Sequence, residues 1–545
     1  MRAKLLEDDV APTEDRRALL DLMRLWREDA MKHHLYETAI FWGDKVLSLE
    51  TSAQAWTDAY HLATAFFLTH RYAQAEHLLC SPLRNAAEED EEEDDGVKLI
   101  DISSPARYLA AQCMVRQAKY HDALDLLNSE RLEEEKYGPK VPCKDGGIKL
   151  ASSKWHLRGL IQLRLGKQAE AQQSFVRALS LDVKNYEAFD QLVGGQLLSA
   201  REQWEFVQGL EYVAQAGDDG LHQEALQLVK FMYTTRLDKS GRVHAQQAAA
   251  ARRQLYRLYR LDNNADVLLG LAEELFARQR YKDCHAVTLR IMDLSKDHEA
   301  ALTVHVSTMV YLDDLRPTLF LLAHHLTDRD SDLAAAWYAV GCWYMASGRY
   351  SEARRYFSKA VSLNPRYAAS WVAFAHCFAN EGESDRAIVA YTTAERMFTQ
   401  SHLPKLFIGM EHLHQGNLVL AETSLKGSAL VWEDDALGRN ERGVVAYYKG
   451  EYQEAINLFE AALEAADDVQ MPASSWAPTH LNLGFAYRRS ERYEKARRAF
   501  MKTMELDPEC GPAHTGLAMI YHREGYLDEA VAWYEKVSSS SSLYL

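Results

Sequence analysis

From residue 334 the chain repeats a 34-residue pattern, with later units near 368, 402 and 436 and, after a small insertion, near 477 and 511. That period leaves few folds open. In the first of these units Trp337, Val340, Gly341 and Tyr344 fall at helical spacing and share one face. After a break at Ala346-Ser347-Gly348-Arg349, Ala353, Phe357 and Ala360 do the same. Gly348 suits a tight turn, and Pro365 closes the unit because it has no N–H to continue a helix. Gly341 and Ala353 are small enough for the two helices to approach closely, and Trp337, Tyr344 and Phe357 fill the space around that contact. The next units return the frame as Trp371, Ala375, Ala387 and Tyr391; Gly409, Ala421 and Leu425; Gly443, Ala455 and Phe459; Gly484, Ala496 and Phe500; and Ala518, Gly525 and Ala530.

This alternation of large and small residues is the tetratricopeptide pattern, so the predicted fold is all-α, a tetratricopeptide-repeat superhelical solenoid. Turns are expected at Gly348, Gly382, Gly450 and Gly525. In order, the chain reads as a flexible N-terminus (1–17), N-terminal repeats (18–130), a loop (131–151), a repeat followed by irregular helices (152–262), a C-terminal array (263–537) and a Ser-rich tail (538–545). Breaks are expected in the irregular stretch at Asp218-Asp219-Gly220 and Lys239-Ser240-Gly241. Phe66 and Phe67, adjacent on a helix, are not expected to face one core, so one of them should meet a partner or a groove.

Composition narrows the function. Net charge is −17, about half of it in the eight consecutive acids Glu88–Asp95, which argues against nucleic acid as a partner. That run reads as a solvated loop. It is a poor calcium loop: with Glu91 first, Gly96 stands correctly at the turn, but Ile102 occupies the place of the bidentate Glu. The seven cysteines are scattered with no C-x-x-C pair, as expected of reduced, buried thiols. The charged start MRAKLLEDDVAPTEDRR lacks the apolar core of a signal peptide, and no apolar run reaches membrane-spanning length, so no membrane partner is expected.

No phosphate-binding loop, zinc-protease, serine-hydrolase or dinucleotide motif occurs. The close pairs among the 21 histidines, such as His412 and His414, do not suit a metal, because residues two apart lie on different helix faces. Catalytic residues, cofactors and metals are therefore all expected to be absent. What such an array offers is a groove lined by its first helices. Positions 5, 9 and 12 of these helices should point inward: Tyr338, Cys342 and Met345; Val372, His376 and Ala379; Leu406, Met410 and Leu413; Asn440, Val444 and Tyr447; Leu481, Phe485 and Arg488. The set is mostly apolar, which suits an extended, partly apolar peptide. A co-chaperone or adaptor reading acidic peptide tails is the alternative, but it needs several inward Lys and Asn. The basic cluster Arg488, Arg489, Arg492, Lys495, Arg497 and Arg498 reads as a solvated helix face or an acidic-peptide contact.

Particular segments are more specific than the repeat. YETAIFWGDKVLSL (36–49), RYLAAQCMVRQAKYHDALDLL (107–127), W-x-A-V-G-C-x-Y at 337–344 and H-L-P-x-L-x-I-G-M-E at 402–411 resemble the Cut9-like, cell-division-cycle-sixteen-type subunits of the anaphase-promoting complex, from about residue 30 to 537. The resemblance implies a non-catalytic scaffold of a multisubunit ubiquitin ligase in mitotic cell-cycle control, in nucleus and cytoplasm, bound to the other subunits of the complex. It implies a homodimer through the N-terminal repeats. It also implies that the C-terminal repeats enclose the N-terminus of a small accessory subunit, through the groove positions above together with Asn482, His514 and Tyr521. One departure stands out: where the family continues into further capping helices, Val537 here gives way to serines, so the last helix is expected to be cut short.

Overall fold

The structure, a computed structural model, describes residues 13–49, 55–82, 98–128, 147–217, 219–237, 244–296, 298–398, 401–432, 435–468 and 472–540. The acidic run 88–95, residues 131–146 of the expected loop, residues 1–12 and 541–545 of the expected termini, and the breaks at Asp218 and 238–243 lie outside the described residues. Within them the elements are helices, and the single β contact is an isolated bridge between Pro82 and Lys98.

The chain divides into two units, Met1–Phe189 with Glu211–Gln223, and Asp190–Leu210 with Glu224–Leu545. The first unit holds four helix pairs: Thr13–Lys32 with Tyr36–Leu49, Ala55–Leu68 with Tyr72–Cys80, Ser104–Arg116 with Tyr120–Asn128, and Leu150–Arg164 with Gln168–Leu181. The second holds Ala265–Ala277 with Tyr281–Leu294 and Glu299–Val310 with Arg316–Arg329. Six pairs in the 34-residue frame follow, from Ala334–Ala346 with Tyr350–Leu363 to Gly511–Glu524 with Leu527–Ser540. The irregular stretch is helical, as Ala200–Gly209, Tyr212–Ala216, Gly220–Arg236 and Ala245–Tyr259.

Three of the six in-frame pairs cross at a glycine covered by a phenylalanine. A Cβ on Gly341 would stand 2.5 Å from the Phe357 ring, and one on Gly443 or Gly484 would stand 2.6 Å from Phe459 or Phe500. Gly159 meets Phe175 in the same way at 2.6 Å. Only hydrogen fits there, so the ring of the second helix packs directly against the backbone of the first. All four rings are buried, and burying a phenylalanine contributes about 1.5–3 kcal/mol. Phe500 also closes on Gly516 of the next pair, at 2.5 Å, so one ring ties two repeats together.

The expected turn glycines, Gly348, Gly382, Gly450 and Gly525, all have φ between 72° and 89°, the left-handed region that suits a residue without Cβ. Two turns of the first unit put His34 and His70 in that region instead. There each imidazole Nδ1 shares a hydrogen bond with the hydroxyl of Tyr36 or Tyr72, at 2.9 and 2.7 Å.

Two expectations fail. Phe66 and Phe67 both rest, half-buried, against one core cluster built on Ala59, Ala63, Leu79 and Leu109. A core that extends to the neighbouring pairs on both sides can receive two adjacent side chains. The last helix is not short: Leu527–Ser540 has 14 residues, like Tyr493–Leu506, because serine tolerates helix and no breaker stands before residue 540. The first unit also buries a charge on which the sequence pattern is silent. Asp58 is buried in the helix Ala55–Leu68, with Arg27 Nη1 at 2.6 Å and Arg24 Nη2 at 2.8 Å. Two guanidinium groups on one carboxylate are what such burial requires if it is to offset the desolvation of the charges.

Gly341→Leu is expected to force the Ala334–Ala346 and Tyr350–Leu363 helices apart. Overpacking costs about 1–3 kcal/mol, more against backbone. Thermal unfolding at the wild-type temperature would show that the crossing tolerates a side chain.

Candidate functional site

The first helices of successive repeats in the second unit touch in sequence, so residues 34 or so apart form a continuous line. The hydroxyls of Ser307 and Tyr338 hydrogen-bond at 2.8 Å. The His376 ring meets Phe407 edge-on at 4.6 Å. Asn482 Nδ2 donates to Asn440 Oδ1 at 3.5 Å. This line is where the sequence places its inward-facing candidates.

Four of them are buried: Tyr338, Cys342, Leu406 and Asn440. Tyr338 is buried, with Tyr367 at 5.3 Å and Phe357 at 5.7 Å between ring centroids. Cys342 is wholly buried beside it. Burial pushes both the phenol and the thiol up, so both stay protonated. The reason is local: the adjoining helix pair Glu299–Val310 and Arg316–Arg329 covers this first in-frame repeat, and its Val306, Met309 and Leu319 share one core with Tyr338 and Cys342.

Further along, apart from Leu406 and Asn440, the candidates are half-buried. Met410 and Leu413 rest on Leu406, Ala421, Leu425 and Val445. Val444, Tyr447 and Phe485 rest on the cluster of Ala446, Phe459 and Phe500. The Arg488 guanidinium lies 5.8 Å above the Phe485 ring, and its Nε is buried without a hydrogen-bond partner. His514 shares a hydrogen bond with the Cys510 carbonyl at 3.0 Å and stands 5.6 Å from Trp533, and Arg497 lies 5.2 Å over Tyr521.

The polar candidates are partly spent on the chain itself. Asn440 is buried and donates to Glu441 Oε1 at 2.9 Å while accepting from Asn482. His376 shares its Nδ1 with the Tyr391 hydroxyl at 2.5 Å. Burial holds this imidazole down at about 4, neutral at physiological pH.

Two carboxylates on these helices escaped sequence reasoning. Glu411 is 4% exposed, and its Oε2 has no hydrogen-bond partner. Burial raises the Glu441 carboxyl, against the opposing hydrogen bond from Asn440. A signal for Glu411 was present: the other in-frame repeats carry Trp343, Cys377, Val445, Ala486 and Ile520 at its position. Among the described residues no group of three or more His, Cys, Asp or Glu could hold a metal, and no helix is long and apolar enough to cross a membrane.

Helix pairs crossing at a glycine, repeated every 34 residues, define a tetratricopeptide-repeat protein, and models of that repeat match residues 155–185, 334–367, 434–509 and 481–542. Whole-chain comparison is more particular. The anaphase-promoting complex subunit cut9 of Schizosaccharomyces pombe is 36% identical over 518 residues, 95% of this chain and 73% of the relative. The human cell division cycle protein 16 homolog is 31% identical over 92% of this chain and 78% of its own length. CDC16 of Saccharomyces cerevisiae is 29% identical over 96% of this chain and 60% of its own. Among solved structures, the crystal structure of the APC/C hetero-tetramer Cut9–Hcn1 matches with a TM-score of 0.78 at 35% identity, covering 96% of this chain and 94% of the matched one. The chain belongs to the Cut9/CDC16 family of anaphase-promoting complex subunits.

The buried His376 makes a pH prediction. Between the ordinary imidazole value near 6.5 and about 4, the unfolded chain binds a proton at this residue and the folded chain does not. Stability therefore falls as pH falls through that window, by up to about 1.4 kcal/mol per pH unit for one proton. In His376→Gln this part of the slope should vanish. Denaturant titrations at pH 6.5 and pH 4.5 check it, and an unchanged difference between them would place the imidazole in contact with solvent.

Proposed function

We propose that this chain is a non-catalytic scaffold subunit of the anaphase-promoting complex, a multisubunit ubiquitin ligase of the cell cycle, acting in nucleus and cytoplasm. Its first helices seat the N-terminal segment of a small accessory subunit of the Hcn1 kind. The observation that carries this reading is the likeness, over nearly the whole chain, to Cut9 in its complex with Hcn1. The face itself supports it: Met410, Leu413, Val444, Tyr447 and Phe485 present half-buried apolar groups in succession, and a few such anchors suffice to dominate binding. Arg488, Asn482 and His514 supply polar groups along the same line. Tyr338, Cys342 and Asn440, being buried, drop out of the proposed contact set.

Calorimetry with the accessory subunit's N-terminal peptide tests the groove. Tyr447→Ala and Phe485→Ala should each weaken binding by about 2 kcal/mol. Arg355→Ala, at an exposed position of the helix Tyr350–Leu363, should leave it unchanged. Equal affinities across the three variants would place the peptide elsewhere.

The N-terminal repeats are proposed to form a homodimer. Leu22, Leu25, Trp26 and Phe41 are each 41–55% exposed. Trp42 lies between the rings of Trp26 and Phe41, at 4.8 and 5.0 Å. A patch of this kind calls for a partner surface. Trp26→Glu combined with Phe41→Glu should convert a dimer to a monomer by light scattering, and a dimer that persists would move the interface.

A further inference from the structure

The repeat that starts at 368 has a cleft that its predecessor fills with its own side chains. Shifting by 34 residues aligns Trp337 with Trp371, Tyr344 with Phe378, Tyr356 with Ala390 and Lys359 with Thr393. In the earlier repeat the Tyr356 ring lies parallel to both Trp337 and Tyr344, at 6.0 and 5.1 Å, and the Lys359 ammonium stands 3.3 Å from the Trp337 centroid. In the later repeat alanine and threonine replace the ring and the cation. The space they leave is an open cleft of about 410 Å³, lined by Trp371, Phe374, Phe378 and Val389 with Asp385 and Arg386 at its mouth. Val389 is 67% exposed, where the earlier repeat has Arg355.

We propose that this cleft is a docking site for another protein, which inserts an aromatic side chain between Trp371 and Phe378 and sets a neighbouring Lys or Arg over the Trp371 ring. The sibling repeat shows the occupant that these two aromatic walls accept: a tyrosine ring with an ammonium beside it. Aromatic rings attract one another beyond their burial, and a cation over a tryptophan face is attracted by the ring's quadrupole. Charge favours the cation as well. Arg386, which lines the cleft, is held by Glu383 at 2.8 Å, and Arg354, whose guanidinium covers one face of the Phe378 ring at 4.5 Å, is held by Glu381 at 2.9 Å. Asp385 meets only the neutral amide of Gln415, at 2.8 Å, among the bonds the described residues make to it. An unbalanced carboxylate at the mouth of an aromatic cleft suits a basic side chain. This site is separate from the peptide face proposed above: Trp371, Phe374 and Phe378 share one side of the helix Ala368–Asn380, and His376 lies on the other.

The probe is a short capped glycine peptide carrying one Tyr and, three positions on, one Lys, titrated against the full chain by ligand-observed NMR. Wild type should bind it, and the Tyr→Leu and Lys→Glu peptides should bind at least tenfold more weakly. Ala390→Tyr combined with Thr393→Lys rebuilds the filled arrangement of the preceding repeat and should abolish binding. Val389→Arg copies Arg355 at an exposed position, so folding is unaffected, and it should weaken binding several-fold. Binding that survives both variants, a Leu peptide as good as the Tyr peptide, or no binding of the Tyr peptide to wild type would overturn the proposal. Binding of the accessory subunit's N-terminal peptide should be the same in these variants as in wild type, so the two sites stand or fall separately.

Discussion

The contact on which the array depends is an aromatic ring pressed onto a bare stretch of helix backbone. Where Gly341, Gly443 or Gly484 stands in the first helix, Phe357, Phe459 or Phe500 of the second covers it at a distance no Cβ allows. This sets how close the two helices lie, and the buried ring becomes part of the floor under the next repeat. A solenoid has no central core to compensate for an error, because each unit is stabilised only by its neighbours. Local crossings must therefore be correct one by one.

Where the crossing changes, the chemistry of the face changes with it. In the 368 repeat Ala375 stands at the glycine's position and Tyr391 replaces the phenylalanine. The tyrosine hydroxyl then needs a partner in the interior, and His376 supplies it. A histidine placed on the inward line is in this way drawn into the core and kept neutral. The same economy governs Asn440, whose amide serves Glu441 and Asn482. The face that remains for a ligand is mainly apolar, and it owes its shape to the crossings beneath it.

Much of this was legible in the 34-residue frame. The frame located the helix pairs, the glycine crossings and the left-handed turns, since each rests on residue size and backbone freedom within a few positions of the chain. It failed at Tyr338 and Cys342, which a preceding helix pair with a poor repeat pattern covers. It failed at Phe66 and Phe67, whose neighbours lie on both sides of their helix. It was silent on Asp58, because two arginines some 30 residues away make that burial tolerable.

The sequence by itself therefore determined the fold and the family, through a period that only stacked helix pairs satisfy and through segments specific to one set of relatives. The tertiary structure decided which members of the inward line are reachable, which polar groups are already satisfied, and that the 368 repeat leaves a cleft where its predecessor is full. The reason is physical: helix and turn are set by interactions between residues close in the chain, whereas exposure and hydrogen-bond satisfaction are set by whatever the neighbouring repeat places on top.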